Sequence, residues 1–134
     1  MIDLRSETSD DAAALERCGL RFLHLPTEDM CAVSQPKLDD AVAFAEACAA
    51  KDLRLLVHCQ HGVGRSALVA LCVLVARGLA PLDALCLAKD AREVVSPSEA
   101  QYGAWAEWIA RRMTLDAPSY HEFGVIAYRH LRQA

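Results

Sequence analysis

The stretch from Leu53 to Arg77 limits the possible folds more than any other part of the chain. Leu55, Leu56 and Val57 are consecutive apolar residues, as in a strand buried on both faces, and the run Leu53–His58 is expected to be that strand. A loop containing Gly62 and Gly64 follows, and Ser66–Arg77 is then a strongly apolar helix closed by Gly78. A buried strand that passes through a tight loop into a buried helix is the repeating unit of α/β domains. It also leaves the unpaired amides of the helix start at the carboxyl end of the strand.

The rest of the chain fills in around that unit. Ile2–Leu4 is a short, weak strand at the terminus, and a helix is expected from Thr8, with Asp11 as capping-box partner, to Gly19. Arg21–Leu25 alternates like a strand, and Pro26–Gln35 is a polar connection. Pro36 suits the first turn of a helix with Leu38, Ala41, Val42, Ala45 and Ala49 on one face. Pro81–Glu93 reads as a further helix. Ser96-Pro97-Ser98-Glu99 has the form of a capping box with proline at the first helical position, predicting a helix to about Met113. Ser119-Tyr120-His121-Glu122 repeats that form and predicts a last helix to about Arg132.

The expectation is therefore one α/β domain over residues 1–134, with its core at about 2–113 and a helical segment at about 119–132. Its central sheet is small and mainly parallel, flanked by helices. The last helix carries Phe123, Ile126, Ala127 and His130 at helical spacing, which suits capping the core or meeting a second subunit. Nothing in the sequence sets an oligomeric state.

Composition narrows the class. With 134 residues and 54% hydrophobic content there is enough apolar material for a single core. A net charge of −4 argues against a nucleic-acid binder, while leaving room for a small basic pocket. The six cysteines show no paired spacing of the zinc or thioredoxin kind, and Cys48, Cys72 and Cys86 lie in apolar helical runs as core residues. The amino terminus is interrupted by Asp3, Arg5, Glu7, Asp10 and Asp11, unlike a signal peptide, and Ala67–Ala76 is too short to span a bilayer. A reducing, cytoplasmic setting with free thiols, and no membrane contact, is expected.

The chemistry concentrates in His58-Cys59-Gln60-His61-Gly62-Val63-Gly64-Arg65-Ser66. Gly62 and Gly64 allow successive amides to turn inward as an anion-binding nest in front of the helix start. Cys59 and Arg65 stand at the two ends of that loop, so both can face one bound anion. The helix start, the inward amides and Arg65 all favour a thiolate. The planar guanidinium matches two phosphate oxygens at once. Ser66 is placed to hydrogen-bond the thiolate, and His58 to orient the loop from beneath. This combination of residue types at fixed offsets arises by chance in on the order of one chain in ten thousand. A metal site built from His58, Cys59 and His61 lacks a fourth ligand, and neighbouring residues rarely point at one centre.

The segment resembles the Cys-x5-Arg loop of the protein tyrosine phosphatase superfamily, most closely its compact dual-specificity and small microbial branch. His24-Leu25-Pro26-Thr27-Glu28-Asp29 resembles the strand end and acid-bearing loop of that branch, and Val95-Ser96-Pro97-Ser98-Glu99-Ala100-Gln101 resembles the proline-containing lead-in to its later helix. The resemblance spans residues 2–113. It implies a cysteine-dependent phosphomonoester hydrolase, working through a phosphocysteine without a cofactor or metal. By the same mapping Cys59 is the nucleophile and Arg65 the phosphate clamp. The amides of Gln60, His61, Gly62, Val63, Gly64 and Arg65 hold the non-reacting oxygens, Asp29 is the general acid with Glu28 the competing choice, and Gln101 is a water-positioning residue or an ordinary helical surface glutamine.

The implied substrate is a phosphotyrosine protein, with phosphoserine and phosphothreonine also open. A small phosphorylated metabolite such as an inositol phosphate or nucleotide, or a phosphate-binding module with little turnover, are the alternatives. The family usually has another strand and further chain before the segment like Ile2-Asp3-Leu4-Arg5, so one sheet edge is expected to be bare or covered by a partner.

Overall fold

Ile2–Arg5 forms the middle strand of the sheet (β1), and Ile2, Asp3 and Leu4 are all fully buried. A computed structural model describes residues 1–132. The expected domain extent to residue 134 therefore includes two residues that lie outside those described. β1 is flanked by β2 (Leu23–Thr27) and β3 (Val57–His58), both parallel to it, in the order β2-β1-β3. The terminal strand judged weakest by sequence is thus the one on which the others pair.

Among the described residues six α-helices complete the α/β fold: α1 (Ala12–Arg17), α2 (Gln35–Ala50), α3 (Arg65–Ala76), α4 (Pro81–Ala91), α5 (Glu99–Arg112) and α6 (Tyr120–Ala127). A 3₁₀ turn, Arg129–Arg132, ends the described chain, so the last helix stops short of Arg132. α3 is the hub. Leu68, Val69, Leu71, Cys72 and Val75 are buried, and the helix packs against α2, α4 and α5 as well as the sheet. Burying that apolar helix removes the largest greasy run of the sequence from water, the dominant favourable term in folding.

Several boundaries differ from expectation for identifiable reasons. α1 starts at Ala12 because Asp11, not Thr8, is its N-cap, the side chain accepting from the Ala14 amide at 3.1 Å. The preceding Asp10 is engaged by Arg5 and His58, which holds that segment out of a helix. β2 runs two residues beyond Leu25 through a register irregularity opposite β1, and Pro26 is tolerated because β2 is an edge strand. α5 is capped by Ser98, with Gln101 completing the capping box. Ser96 is unavailable for that role because its amide donates to the Val63 carbonyl at 3.0 Å.

The largest departure is at β3. The run Leu53–His58 is not a strand buried on both faces: only Val57 and His58 pair, and Leu53 and Leu56 are 47% and 56% exposed. Continuous apolar sequence suits a central strand, but among the described residues β3 has a neighbour on one side only.

α6 lies on the core through Phe123 and Ala127, both fully buried. The Phe123 ring is 5.0 Å from Tyr102 and 5.9 Å from Trp105 between centroids. Phe123→Ala is expected to lower stability by about 3–5 kcal/mol in urea unfolding. A loss below about 1 kcal/mol would show that α6 contributes little to the core.

Candidate active site

Cys59 follows directly on β3, and α3 begins at Arg65, so the whole loop is spanned by a strand end and a helix start. Gly62 has φ +68°, in the left-handed region that favours glycine, and a Cβ there would come within 3.3 Å of the Arg92 guanidinium. At Gly64 a Cβ would lie 2.4 Å from Gln101 Oε1, a contact no side chain can make. Each glycine is required for a separate reason, one conformational and one steric.

The Cys59 thiol is half-buried, with Sγ 3.2 Å from Ser66 Oγ. Burial pushes this thiol up, but the Ser66 hydroxyl and the amides of Ser66, Gly62 and His61 outweigh it. The net effect holds Cys59 below the ordinary cysteine value. The buried Cys72 goes the other way, pushed up by desolvation, as an inert core thiol should.

Arg65 is 1% exposed and is held in a fixed orientation. One terminal nitrogen, Nη1, donates to Glu7 Oε1 at 2.8 Å and to the Thr27 carbonyl at 2.8 Å. The other, Nη2, donates to Glu7 Oε2 at 3.0 Å. Nε has no hydrogen-bond partner among the described residues and lies 3.7 Å from Asp29 Oδ1. Of the five guanidinium donors, three are therefore committed. The remaining two, on Nε and Nη2, form one edge of the fork, the shape that two oxygens of a phosphate match.

Asp29 is exposed and lines a cleft of about 150 Å³ with Met30, Cys59, His61, Val63, Gly64, Ser96 and Gln101. Its Oδ1 accepts from the Met30 amide at 2.9 Å. Glu28 is not part of that cleft, so of the two competing carboxylates the geometry brings Asp29 to the thiol. Gln101 is not a surface glutamine but 1% exposed. Its Oε1 accepts from the Ser98 amide and its Nε2 donates to the Cys31 carbonyl, leaving one amide hydrogen uncommitted. Gln60 and His61 are exposed at the loop rim, while Val63 and Gly64 are half-buried within it.

His58 lies beneath the loop, its Nε2 2.8 Å from Asp10 Oδ2. His58, Cys59 and His61 do not converge as metal ligands. Among the described residues the single cluster with that geometry is Asp3, Asp10 and His58. Arg5 occupies it, with Nε 3.0 Å from Asp3 Oδ1 and Nη2 3.1 Å from Asp10 Oδ1. Burial works to raise the Asp3 carboxyl, yet Arg5 and the amides of Arg5 and Asp10 hold it below its ordinary value.

Sequence reasoning missed Glu7, Asp10 and Asp3. The signal for them was Asp3-Leu4-Arg5 immediately followed by carboxylates, in a chain whose loop arginine needs a counter-charge. Glu7 is held at about 2, well below 4.5, by its hydrogen bonds to Arg65. A carboxyl lowered on folding contributes stability that is complete above about pH 4.5 and is lost as pH falls towards about 2. Glu7→Gln is expected to flatten the fall of the urea midpoint across that window. An unchanged pH slope would remove Glu7 from the pair. A second outcome concerns the thiol: Ser66→Ala should move the midpoint of Cys59 alkylation by iodoacetamide to higher pH. A midpoint that stays in place would assign the lowered value to the amides alone.

Comparison with known proteins agrees with this geometry. Residues 1–79 match the family model "Tc-R-P: Polymorphic toxin system, DSP-PTPase phosphatase". Dual specificity protein phosphatase 8 of Mus musculus is 31% identical over 83 residues, which is 60% of this chain and 12% of that protein. Dual specificity protein phosphatase 16 of Homo sapiens is 37% identical over 79 residues, 58% of this chain and again 12% of the relative. The chain thus spans about an eighth of the length of these relatives. The crystal structure of Tk-PTP in its active form superposes with a TM-score of 0.76 at 26% identity, covering 82% of this chain and 77% of that one. With its loop between β3 and α3 and its family match over more than half its length, the chain belongs to the DSP-PTPase phosphatases of polymorphic toxin systems, compact dual-specificity members of the protein tyrosine phosphatase superfamily.

Proposed function

We propose that this chain hydrolyses phosphomonoesters through a phosphocysteine, on phosphotyrosine proteins and also on phosphoserine and phosphothreonine. The observation that carries this reading is the Arg65 guanidinium edge left open beside a half-buried thiol of lowered pKa. The Cys59 thiolate attacks phosphorus, forming an S–P bond as the P–O bond to the leaving group breaks. Asp29 gives its proton to the departing oxygen. The loop amides from Gln60 to Arg65 and the open edge of Arg65 take up the equatorial charge as it develops.

In the second step Asp29 removes a proton from water, whose oxygen attacks phosphorus and expels the thiolate. The Ser66 hydroxyl, at 3.2 Å, stabilises that thiolate as it leaves. Gln101 offers its uncommitted amide hydrogen to the attacking water. A thiol near the surface, in a cleft of about 150 Å³, is within reach of short phosphoserine and phosphothreonine side chains as well as phosphotyrosine, which supports dual specificity. Six free thiols suit a reducing compartment such as the cytoplasm, and among the described residues no helix is long and apolar enough to cross a membrane.

The test is phosphate release from a phosphotyrosine peptide at about pH 6. Cys59→Ser should abolish turnover while still binding the peptide, and Asp29→Asn should lower kcat by roughly 10²–10⁴-fold. A native chain that releases nothing from phosphotyrosine, phosphoserine or phosphothreonine peptides, yet turns over a small phosphorylated metabolite, would replace the protein-phosphatase reading. Binding without turnover of either substrate class would make the loop a phosphate-binding module.

A further inference from the structure

Among the described residues β3 is paired on one side only, with β1. In the ladder with β1 the Ile2 amide donates to the Leu56 carbonyl at 2.8 Å. Alternation along a parallel ladder then turns Leu56 and His58 towards β1, and the amide and carbonyl of Val57 away from it. Among the described residues no strand meets that edge.

Two clefts run along it. One, about 520 Å³, lies between β3, α3 and α4; it reaches the thiol loop at Cys59 and Ser66 at one end and includes Leu56, Val57, Ala70, Leu74 and Arg92. The other, about 620 Å³, lies towards α2 and includes Leu53, Arg54, Leu55, Val73 and Arg77. They meet at Val57, Ala70 and Leu74, so together they form one groove with the outer face of α3 as its floor. α3 is apolar all round, yet Ala70, Val73 and Leu74 are only half-buried here, and Leu53, Leu56 and Leu87 are about half exposed.

Charge identifies the occupant. The charged residues lining the two clefts are Arg54 and Arg77 towards one end and Arg92 at the other, with no carboxylate among the lining residues, although the chain as a whole carries −4. A second copy seated through the same surface would bring these arginines against their equivalents, which a two-fold interface penalises.

We propose that this groove docks, in trans, an extended strand of a partner polypeptide. The partner strand pairs with Val57, sets alternate apolar side chains on Ala70, Val73 and Leu74, and carries Asp or Glu near both ends. Main-chain pairing supplies affinity and the alternate side chains supply selectivity, as in other strand additions.

Selection of random peptides displayed on phage against the whole chain tests this, with Ala70→Arg as counter-target. The expected enrichment is for alternating apolar sequences flanked by Asp or Glu. A synthetic peptide of the enriched sequence should slow exchange of the Val57 amide. It should bind Ala70→Arg, and separately the double variant Arg54→Glu, Arg77→Glu, about tenfold or more weakly. The double variant changes only exposed residues, and circular dichroism checks that both variants are folded. Four results would each overturn the proposal: no enrichment, equal binding to Ala70→Arg, selection of basic flanks, or a native dimer that Ala70→Arg dissociates. Each readout is independent of whether the chain turns over phosphoesters.

Discussion

A guanidinium taken out of water is tolerated only when its donors find acceptors. Arg65 meets that requirement for three of its five donors with groups from separate parts of the chain: the Glu7 carboxylate after β1 and the Thr27 carbonyl at the end of β2. The cation can lie at the start of α3 only when both strands are already in register beside β3. Arg65 is therefore a tertiary lock between the start of α3 and the two strands. The same logic operates beneath the loop, where Arg5 bridges Asp3 and Asp10 and Asp10 reaches His58. Together these pairs hold residues 7–10 between two charged anchors, which is why α1 is short and starts late.

A second constraint comes from the start of α5. Ser98 Oγ donates to the Met30 carbonyl at 2.9 Å, and Gln101 Nε2 donates to the Cys31 carbonyl. The loop that bears Asp29 is thus positioned by a helix some seventy residues further along. Gln101 also fills the space beside Gly64, and the Ser96 amide takes the Val63 carbonyl. The thiol loop, the acid loop and the cap of α5 form one hydrogen-bonded unit, and displacing any of them shifts the other two.

How legible this was depends on sequence separation. The loop from Cys59 to Arg65 could be read directly because its chemistry needs consecutive residues between a strand and a helix. Asp29 could be placed through the family pattern of the acid loop. Glu7 and Asp10 could not, since a loop carboxylate looks the same whether solvated or paired with a group 58 or 48 positions away. Gln101 was open between a water-positioning residue and a surface glutamine because the sequence predicts a helix start at Ser96. The Val63 carbonyl, a tertiary partner, takes the Ser96 amide, and the cap moves to Ser98, whose capping box buries Gln101. For β3, the apolar run suits a strand buried on both faces, but such burial needs a neighbour on each side, and among the described residues β3 pairs with β1 alone.

The brevity of β3 changes what holds the thiol loop in place. A long central strand would fix Cys59 through a ladder on both sides, but among the described residues Val57 and His58 alone pair, and with β1 alone. The loop's position therefore rests on side chains and caps: Arg65 with Glu7 and Thr27, His58 with Asp10, and Gln101 against Gly64. One of these supports is an ion pair whose carboxyl, Glu7, has its pKa lowered by folding, so the geometry of the site is tied to the ionisation of Glu7, whereas the core rests on α3 and the tryptophans of α5. Acidification below about pH 4.5, which weakens the Glu7–Arg65 pair as pH falls towards about 2, would loosen the thiol loop while leaving the apolar core intact. Site and scaffold are stabilised by different forces, and they are expected to fail under different conditions.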